Sequence, residues 1–353
     1  MIAGPPTRMR REIGQIPNAV ERLLAASADE LRDVVAAITK ARPAWIMIAG
    51  RGTSDHAAVY AQYLLETELG LPTGLVKPSV TTVYDAELAW RGGLVLAISQ
   101  SGQSPDVVGV VAAARRAGAL TVAIVNEPRS PLSAAADWTL HCHAGRELAV
   151  PATKTYVAEL TVLAALVATL RPDSAVAAGL KTVPDALRAT ISLAREWLDG
   201  PGGPAVQALA EADRALLVSR GFNLATALEL ALKLKETCGL FAEAYSTADF
   251  AHGPLVLAQP AVPTVAIRPD GPMGADVDAT LAAVAARGGR TTVIGGSETA
   301  GRRGVLSLPH SLPEALTPLL FVVPGQLLVE ATAVRRGISP DAPHGLGKVT
   351  LTR

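Results

Sequence analysis

Leu94–Ser104 reads LVLAISQSGQS. Its first five residues are uninterruptedly apolar, the pattern of a strand buried on both faces. The run stops at Ser99, and Gln100, Ser101, Gly102, Gln103 and Ser104 follow. Val107, Val108, Val110, Val111 and Ala114 then fall on one side of a helix. Strand, polar turn and helix in this order predict one βα unit of an open α/β sheet. The turn lies at the strand's carboxyl end, where such sheets place ligands. Unpaired N–H groups and the helix dipole favour an anion there. No Lys or Arg stands in the turn, so a cradle of hydroxyls and amides suits the phosphate monoester of a small molecule. The same residues also suit an ordinary serine-rich helix cap, and the loop alone leaves both readings open.

The pattern extends on both sides. Arg11–Lys40 has helical periodicity with a break at Pro17, after a loose tail over residues 1–8. Trp45–Ala49 is a buried strand running into Gly50, Arg51, Gly52, Thr53 and Ser54, then a helix to Leu69. Leu75–Val83 reads as a strand with its flanking loop. Leu120–Val125 and Trp138–Cys142 read as further strands, and Thr155–Leu170 is strongly helical. Strands alternating with helices predict a doubly wound parallel sheet.

The pattern then restarts. Ala215–Val218 leads through Ser219, Arg220 and Gly221 into a helix over Leu224–Leu240, and the strands Thr264–Ile267 and Thr291–Ile294 close the set. Gly221 follows Gly52 by 169 residues, and Thr291 follows Thr121 by 170. A steady offset indicates an internal duplication, with Asp199–Pro204 (DGPGGP) as linker. The expected organisation is an N-terminal tail and helix (1–40), a first α/β domain (41–198), a second (205–336) and a C-terminal tail (337–353). The same offset sets Ser99 opposite Arg268, so the phosphate cradle is expected in the first copy only.

Composition narrows the function class. The chain has 353 residues, enough for about two domains. Hydrophobic residues are 49% and charged ones 18%, a globular balance. Basic and acidic residues number 32 each, which argues against a nucleic-acid or anionic-membrane surface. Charged residues interrupt the longer apolar stretches, no transmembrane run is expected, and the N-terminus lacks the apolar centre of a signal peptide. Cys142 and Cys238 alone fit a reducing cytoplasm.

Chemistry-bearing residues stand out in few places. Glu229, Lys233 and Glu236 share one face of the Leu224–Leu240 helix. Such a ladder is usually a solvated stripe; lining a cleft, it would offer a general base. His252 lies in a turn made by Gly253 and Pro254, a solvated position or a proton shuttle. His141 and His143 flank Cys142 without a second cluster at ligand spacing, so they read as strand-end residues and no metal is expected. Gly50-Arg51-Gly52 lacks the third glycine of a dinucleotide fingerprint. Lys348, in a Pro- and Gly-rich tail, is either loose or delivered to a site as a Schiff-base lysine.

Six stretches together carry a resemblance: GRGTSDHA from Gly50, AISQSGQSPD from Ala97, ELAVPATKTY from Glu147, ALELALKLKE from Ala227, AEAYSTADFAHGPL from Ala242 and LGKVTLT from Leu346. In this order they resemble the double sugar-isomerase (SIS) domain family, the isomerase part of glucosamine-6-phosphate synthase and the SIS-type glucosamine-6-phosphate deaminases. The resemblance covers nearly the whole chain. It implies that Ser99, Gln100, Ser101, Gly102 and Ser104 grip the phosphate of a hexose or aminohexose 6-phosphate, with Gly52, Thr53 and Ser54 nearby. It implies that Glu236 moves a proton between C1 and C2, with Glu229 and Lys233 setting the charge around it. His252 would assist ring opening, supplied across a homodimer; Lys348 would form the Schiff base; Val150 would contact the sugar through its backbone.

Two departures matter. Ala152, Thr153 and Lys154 stand where the synthase commonly has Ser-Thr-Lys, and Gln103 replaces a common Glu. The pattern begins almost at Met1, so no glutaminase domain is expected before it. The resemblance therefore points to an aminosugar-phosphate deaminase or isomerase without metal or redox cofactor, converting glucosamine 6-phosphate to fructose 6-phosphate and ammonia. An aldose–ketose phosphate isomerase, a deglycase of a phosphorylated sugar adduct and a non-catalytic sugar-phosphate sensor are the alternatives.

Overall fold

A computed structural model describes residues 5–302, 304–343 and 345–348. They group into two compact units. One holds Asn18–Glu147, Lys154–Lys181 and the chain from Gly347; the other holds the chain up to Pro17, Leu148–Thr153 and Thr182–Leu346. The helix Val183–Asp199 thus belongs with the second unit, and the chain changes unit near residue 181, ahead of the Asp199–Pro204 linker.

The first unit contains β1 (Ile46–Ala49), β2 (Thr73–Leu75), β3 (Leu94–Ser99), β4 (Leu120–Val125) and β5 (Trp138–His141), all parallel, in the order β2-β1-β3-β4-β5. β3 is central and buried along its whole length, as its apolar run requires. Val95 and Ala97 on one face pack with Val107, Val110, Val111 and Ala114 of the following helix, Pro105–Arg116. Gly93, before β3, sits so close to Trp45 that an added Cβ would lie 2.1 Å from the indole. The expected strand over Leu75–Val83 is corrected: β2 ends at Leu75 and Pro78–Thr82 is a helical turn. Pro78 at its first position has the φ a helix start needs and no N–H to offer a sheet.

The second unit contains β6 (Arg214–Ser219), β7 (Phe241–Ser246), β8 (Thr264–Arg268), β9 (Thr291–Gly295) and β10 (Val305–Ser307). Their order, from the other edge, is β7-β6-β8-β9-β10, again all parallel. The two sheets share one topology, 2-1-3-4-5. The registers agree too: Met47 pairs with Val95 as Leu216 pairs with Thr264, and Met47 with Gly74 as Leu216 with Glu243. Ser99 and Arg268 each close a strand four residues after those partners, the equivalence that the 169-residue offset implies. β7 and β10 extend the three strands expected here, so Thr291–Ile294 does not close the set. Both are edge strands, β10 only three residues long.

The helix Thr317–Arg335 is almost wholly buried. By length and composition Glu314–Arg335 could cross a membrane, yet 94% of that window is covered by the protein itself, as in a core helix. Gly325 lets it lie against the helix Leu224–Cys238: a Cβ there would stand 2.3 Å from Leu230 Cδ1. This contact fixes the helix that carries Glu229, Lys233 and Glu236.

Candidate active site

In the order 2-1-3-4-5, chain connections leave the sheet in opposite directions after β1 and after β3. The crevice at their carboxyl ends is the place such sheets reserve for ligands. The helices Thr53–Leu69 and Pro105–Arg116 both begin there, so two positive dipole ends are available to an anion. Gly52 precedes the first helix with φ +54°. Gly102 lies in the second turn with φ +60°, and a Cβ there would sit 2.2 Å from Ser130 Oγ.

The hydroxyls have distinct tasks. Ser99 Oγ accepts the Gly102 N–H at 3.1 Å and Ser101 Oγ accepts that of Gln103 at 3.3 Å, which curls the turn. Ser104 stands at the helix start without a side-chain capping bond. Ser54 is buried and donates to Glu159 Oε1 at 2.8 Å; Thr53 opens the first helix. The two turns are tied by Arg51, whose Nε and Nη2 lie 2.7 and 2.6 Å from Asp106 Oδ2. Substituting Ala for Gly102 forces a methyl into Ser130 and the backbone out of its left-handed conformation. We expect a loss of about 1–3 kcal/mol in thermal unfolding and, in the reaction proposed below, a fall of about 10²-fold in kcat/KM.

Glu147 is a hub beside this turn. Its buried carboxylate accepts the Thr155 N–H (3.2 Å) and hydroxyl (2.9 Å), Gln100 Nε2 (3.4 Å) and Lys348 Nζ (3.1 Å). Lys348 is thereby held within the unit of the Ser99–Ser104 turn, not loose. The rest of its motif, Val349–Thr352, lies outside the described residues. Glu147→Gln replaces an acceptor oxygen by an NH2 among donors. It should lower kcat/KM about 10-fold, and an unsatisfied buried donor should cost about 1–3 kcal/mol in the thermal transition.

In the second unit the Glu229–Lys233–Glu236 ladder is no solvated stripe. Glu229 and Lys233 are fully buried, and the Glu236 side chain is 25% exposed. Lys233 Nζ lies 2.6 Å from Glu236 Oε2 and 3.2 Å from Glu229 Oε1. Burial alone would lower the Lys233 pKa; the two carboxylates outweigh it and the pKa rises, so the ammonium stays charged. Glu236 is therefore a carboxylate in solvent reach, aimed by a cation that cannot move. His252 caps the short helix Thr247–Ala251 and is exposed. Among the described residues no side chain hydrogen-bonds its ring. The Val150 N–H donates to the Asp341 carbonyl (2.9 Å).

The position equivalent to Ser99 is filled differently. Arg268 is buried and donates to Glu298 (2.7 Å), Asp278 (3.1 Å) and Asp270 (3.4 Å). Its charge is consumed within its own turns. Sequence reading missed Arg51, Asp106, Glu147 and Glu159 as supports. ELAVPATKTY contained Glu147 and AISQSGQSPD contained Asp106, but their partners stand up to 201 residues away. Burial pushes both thiols up, Cys238 to about 11, so neither offers a nucleophile.

A model of the SIS domain matches residues 37–169 and 208–300. The chain is 35% identical over 346 residues to the glutamine–fructose-6-phosphate aminotransferase (isomerizing) of Methanothermobacter thermautotrophicus, covering 96% of this chain and 56% of the relative. It thus spans little more than half the length of that relative. A crystal structure from Silicibacter pomeroyi, of a protein proposed to be a phosphosugar isomerase, is 38% identical with a TM-score of 0.85, covering 95% of this chain and all of that one. The C-terminal domain of glucosamine-fructose-6-phosphate aminotransferase from Francisella tularensis is 27% identical with a TM-score of 0.86, covering 96% and 99%.

Proposed function

The chain belongs to the SIS domain family, and from that premise we propose that it is an aminosugar-phosphate isomerase acting as a deaminase: glucosamine 6-phosphate and water give fructose 6-phosphate and ammonia. The observation that carries the reading is Glu236, a solvent-reachable carboxylate fixed 2.6 Å from a buried ammonium. That is the group required to carry a proton between adjacent carbons. The aminotransferases it resembles suggest the substrate class, an amino group and fructose 6-phosphate.

In this reading residues 41–198 hold the phosphate through Ser99, Gln100, Ser101, Gly102 and Ser104, and residues 205–336 supply the base. His252, contributed by the other subunit of a homodimer, opens the ring. Glu236 takes the C2 proton of the open aldehyde, giving an enolamine, and returns it to C1. The product is a C2 imine, which water hydrolyses to the ketone with release of ammonia. Lys348 neutralises charge at the open-chain carbonyl and forms a Schiff base with the ketose in the reverse direction. A cytoplasmic setting belongs to the same proposal.

The test is ammonia release from purified protein given glucosamine 6-phosphate, with fructose 6-phosphate followed in parallel. Equal rates support the deaminase. Interconversion of aldose and ketose phosphates without ammonia would replace it by a plain isomerase. Saturable binding without turnover would replace it by a sensor.

A further inference from the structure

In the sequence alone His141 and His143 read as strand-end residues, with no second cluster at ligand spacing. The fold brings one. Glu30, in the first turn of the helix Ala28–Ala41, reaches the end of β5 from 111 residues away. Its Oε1 lies 2.6 Å from His141 Nδ1 and 4.0 Å from His143 Nε2, and the three ligand atoms all fall within 4.8 Å of one another.

Three features distinguish this cluster from a surface ion pair. First, Glu30 Oε2 accepts the backbone N–H of His141 at 3.0 Å, which orients the carboxylate and leaves Oε1 facing the imidazoles. Second, His143 Nε2 is buried and makes no hydrogen bond, a state a ring nitrogen rarely keeps. Third, His143 holds φ +46°, uncommon outside glycine, and so turns its ring back towards His141. Cys142, between them, is a buried free thiol.

We propose that Glu30, His141 and His143 form a binding site for a divalent cation of the zinc class. Two imidazoles and one carboxylate are the donor set of a three-ligand zinc site, with water as fourth ligand. The cation takes the place of the proton shared by His141 Nδ1 and Glu30 Oε1, which is released to solvent. His143 Nε2 gains the partner it lacks. The site joins the start of the helix Ala28–Ala41 to the edge strand β5. The Arg22 guanidinium, which donates to the His143 carbonyl at 2.9 Å, is the nearby positive charge the cation must tolerate.

The full chain, stripped with chelator and dialysed, is titrated with zinc by calorimetry, and with cobalt followed in the visible spectrum. The expected result is one ion per chain, cobalt bands of a tetrahedral site, and a zinc-dependent rise in Tm. Glu30→Gln and His143→Asn should each weaken binding by about 10-fold or more and abolish the rise. Asparagine tolerates the left-handed backbone, so His143→Asn removes the ligand and keeps the fold. No saturable binding to the wild type, or equal binding by wild type and both variants, overturns the site.

Discussion

Glu236→Gln is expected to bind the sugar phosphate with a KM within a few-fold of wild type while kcat falls about 10²–10⁴-fold. The amide keeps the shape of the carboxylate, and its oxygen still accepts from Lys233 Nζ, 2.6 Å away in the parent. The residues proposed to hold the phosphate, Ser99–Ser104, are unchanged in this variant. Lost is only the capacity to take and return a proton, so the effect falls on the chemical step. Glu236→Asp separates base strength from position: it restores a carboxylate but withdraws it by about one bond length, and misplacement of about 1 Å costs about 10²-fold. The check is steady-state ammonia release with exchange of the C2 proton into deuterated water. Wild-type turnover or exchange in the Gln variant would remove Glu236 from the proton transfer.

Lys233→Met has the largest expected effect on stability. The ammonium is enclosed with Glu229 at 3.2 Å, and neither side chain is more than 1% exposed. Removing the cation leaves the Glu229 carboxylate buried without its countercharge, which costs about 3–5 kcal/mol. The double variant Lys233→Met/Glu229→Gln should regain much of that loss, since the uncompensated charge is gone. The pH dependence has a definite sign. The folded Lys233 pKa is raised, so its contribution is full below the unfolded value of about 10.4. It is lost only as pH rises through the still higher folded value. The gap between wild type and Lys233→Met should therefore be flat from about pH 7 to 9. Urea unfolding at several pH values measures it, and a gap that closes on approaching pH 9 would contradict the pair's role.

Much of the site was legible because the relevant signals are local. The apolar run Leu94–Ile98, its turn and the helix after it need only neighbours in the chain, and β3 with Pro105–Arg116 formed as read. The spacing of Glu229, Lys233 and Glu236 is likewise a property of one helix. Whether that face meets water is not: burial of the ladder depends on Thr317–Arg335, where Gly325 permits contact with Leu230. Edge strands escaped for a related reason. β10 has three residues, too few for a period, and the Leu75–Val83 stretch has strand-forming residues but starts its helical turn at Pro78.

By itself the sequence determined the alternation of strands and helices, the duplication with its 169-residue offset, the Ser99–Ser104 turn and the helix bearing the carboxylates. Those follow from periodicity and turn chemistry within short windows. Only the tertiary structure decided which polar groups meet. Glu147 joins Gln100, Thr155 and Lys348, Arg51 clasps Asp106, and Glu30 completes the pair of histidines. The partners in these contacts stand between 8 and 201 residues apart, and most are distant. A side chain's partner at that range is set by how sheets and helices pack, which no local pattern encodes.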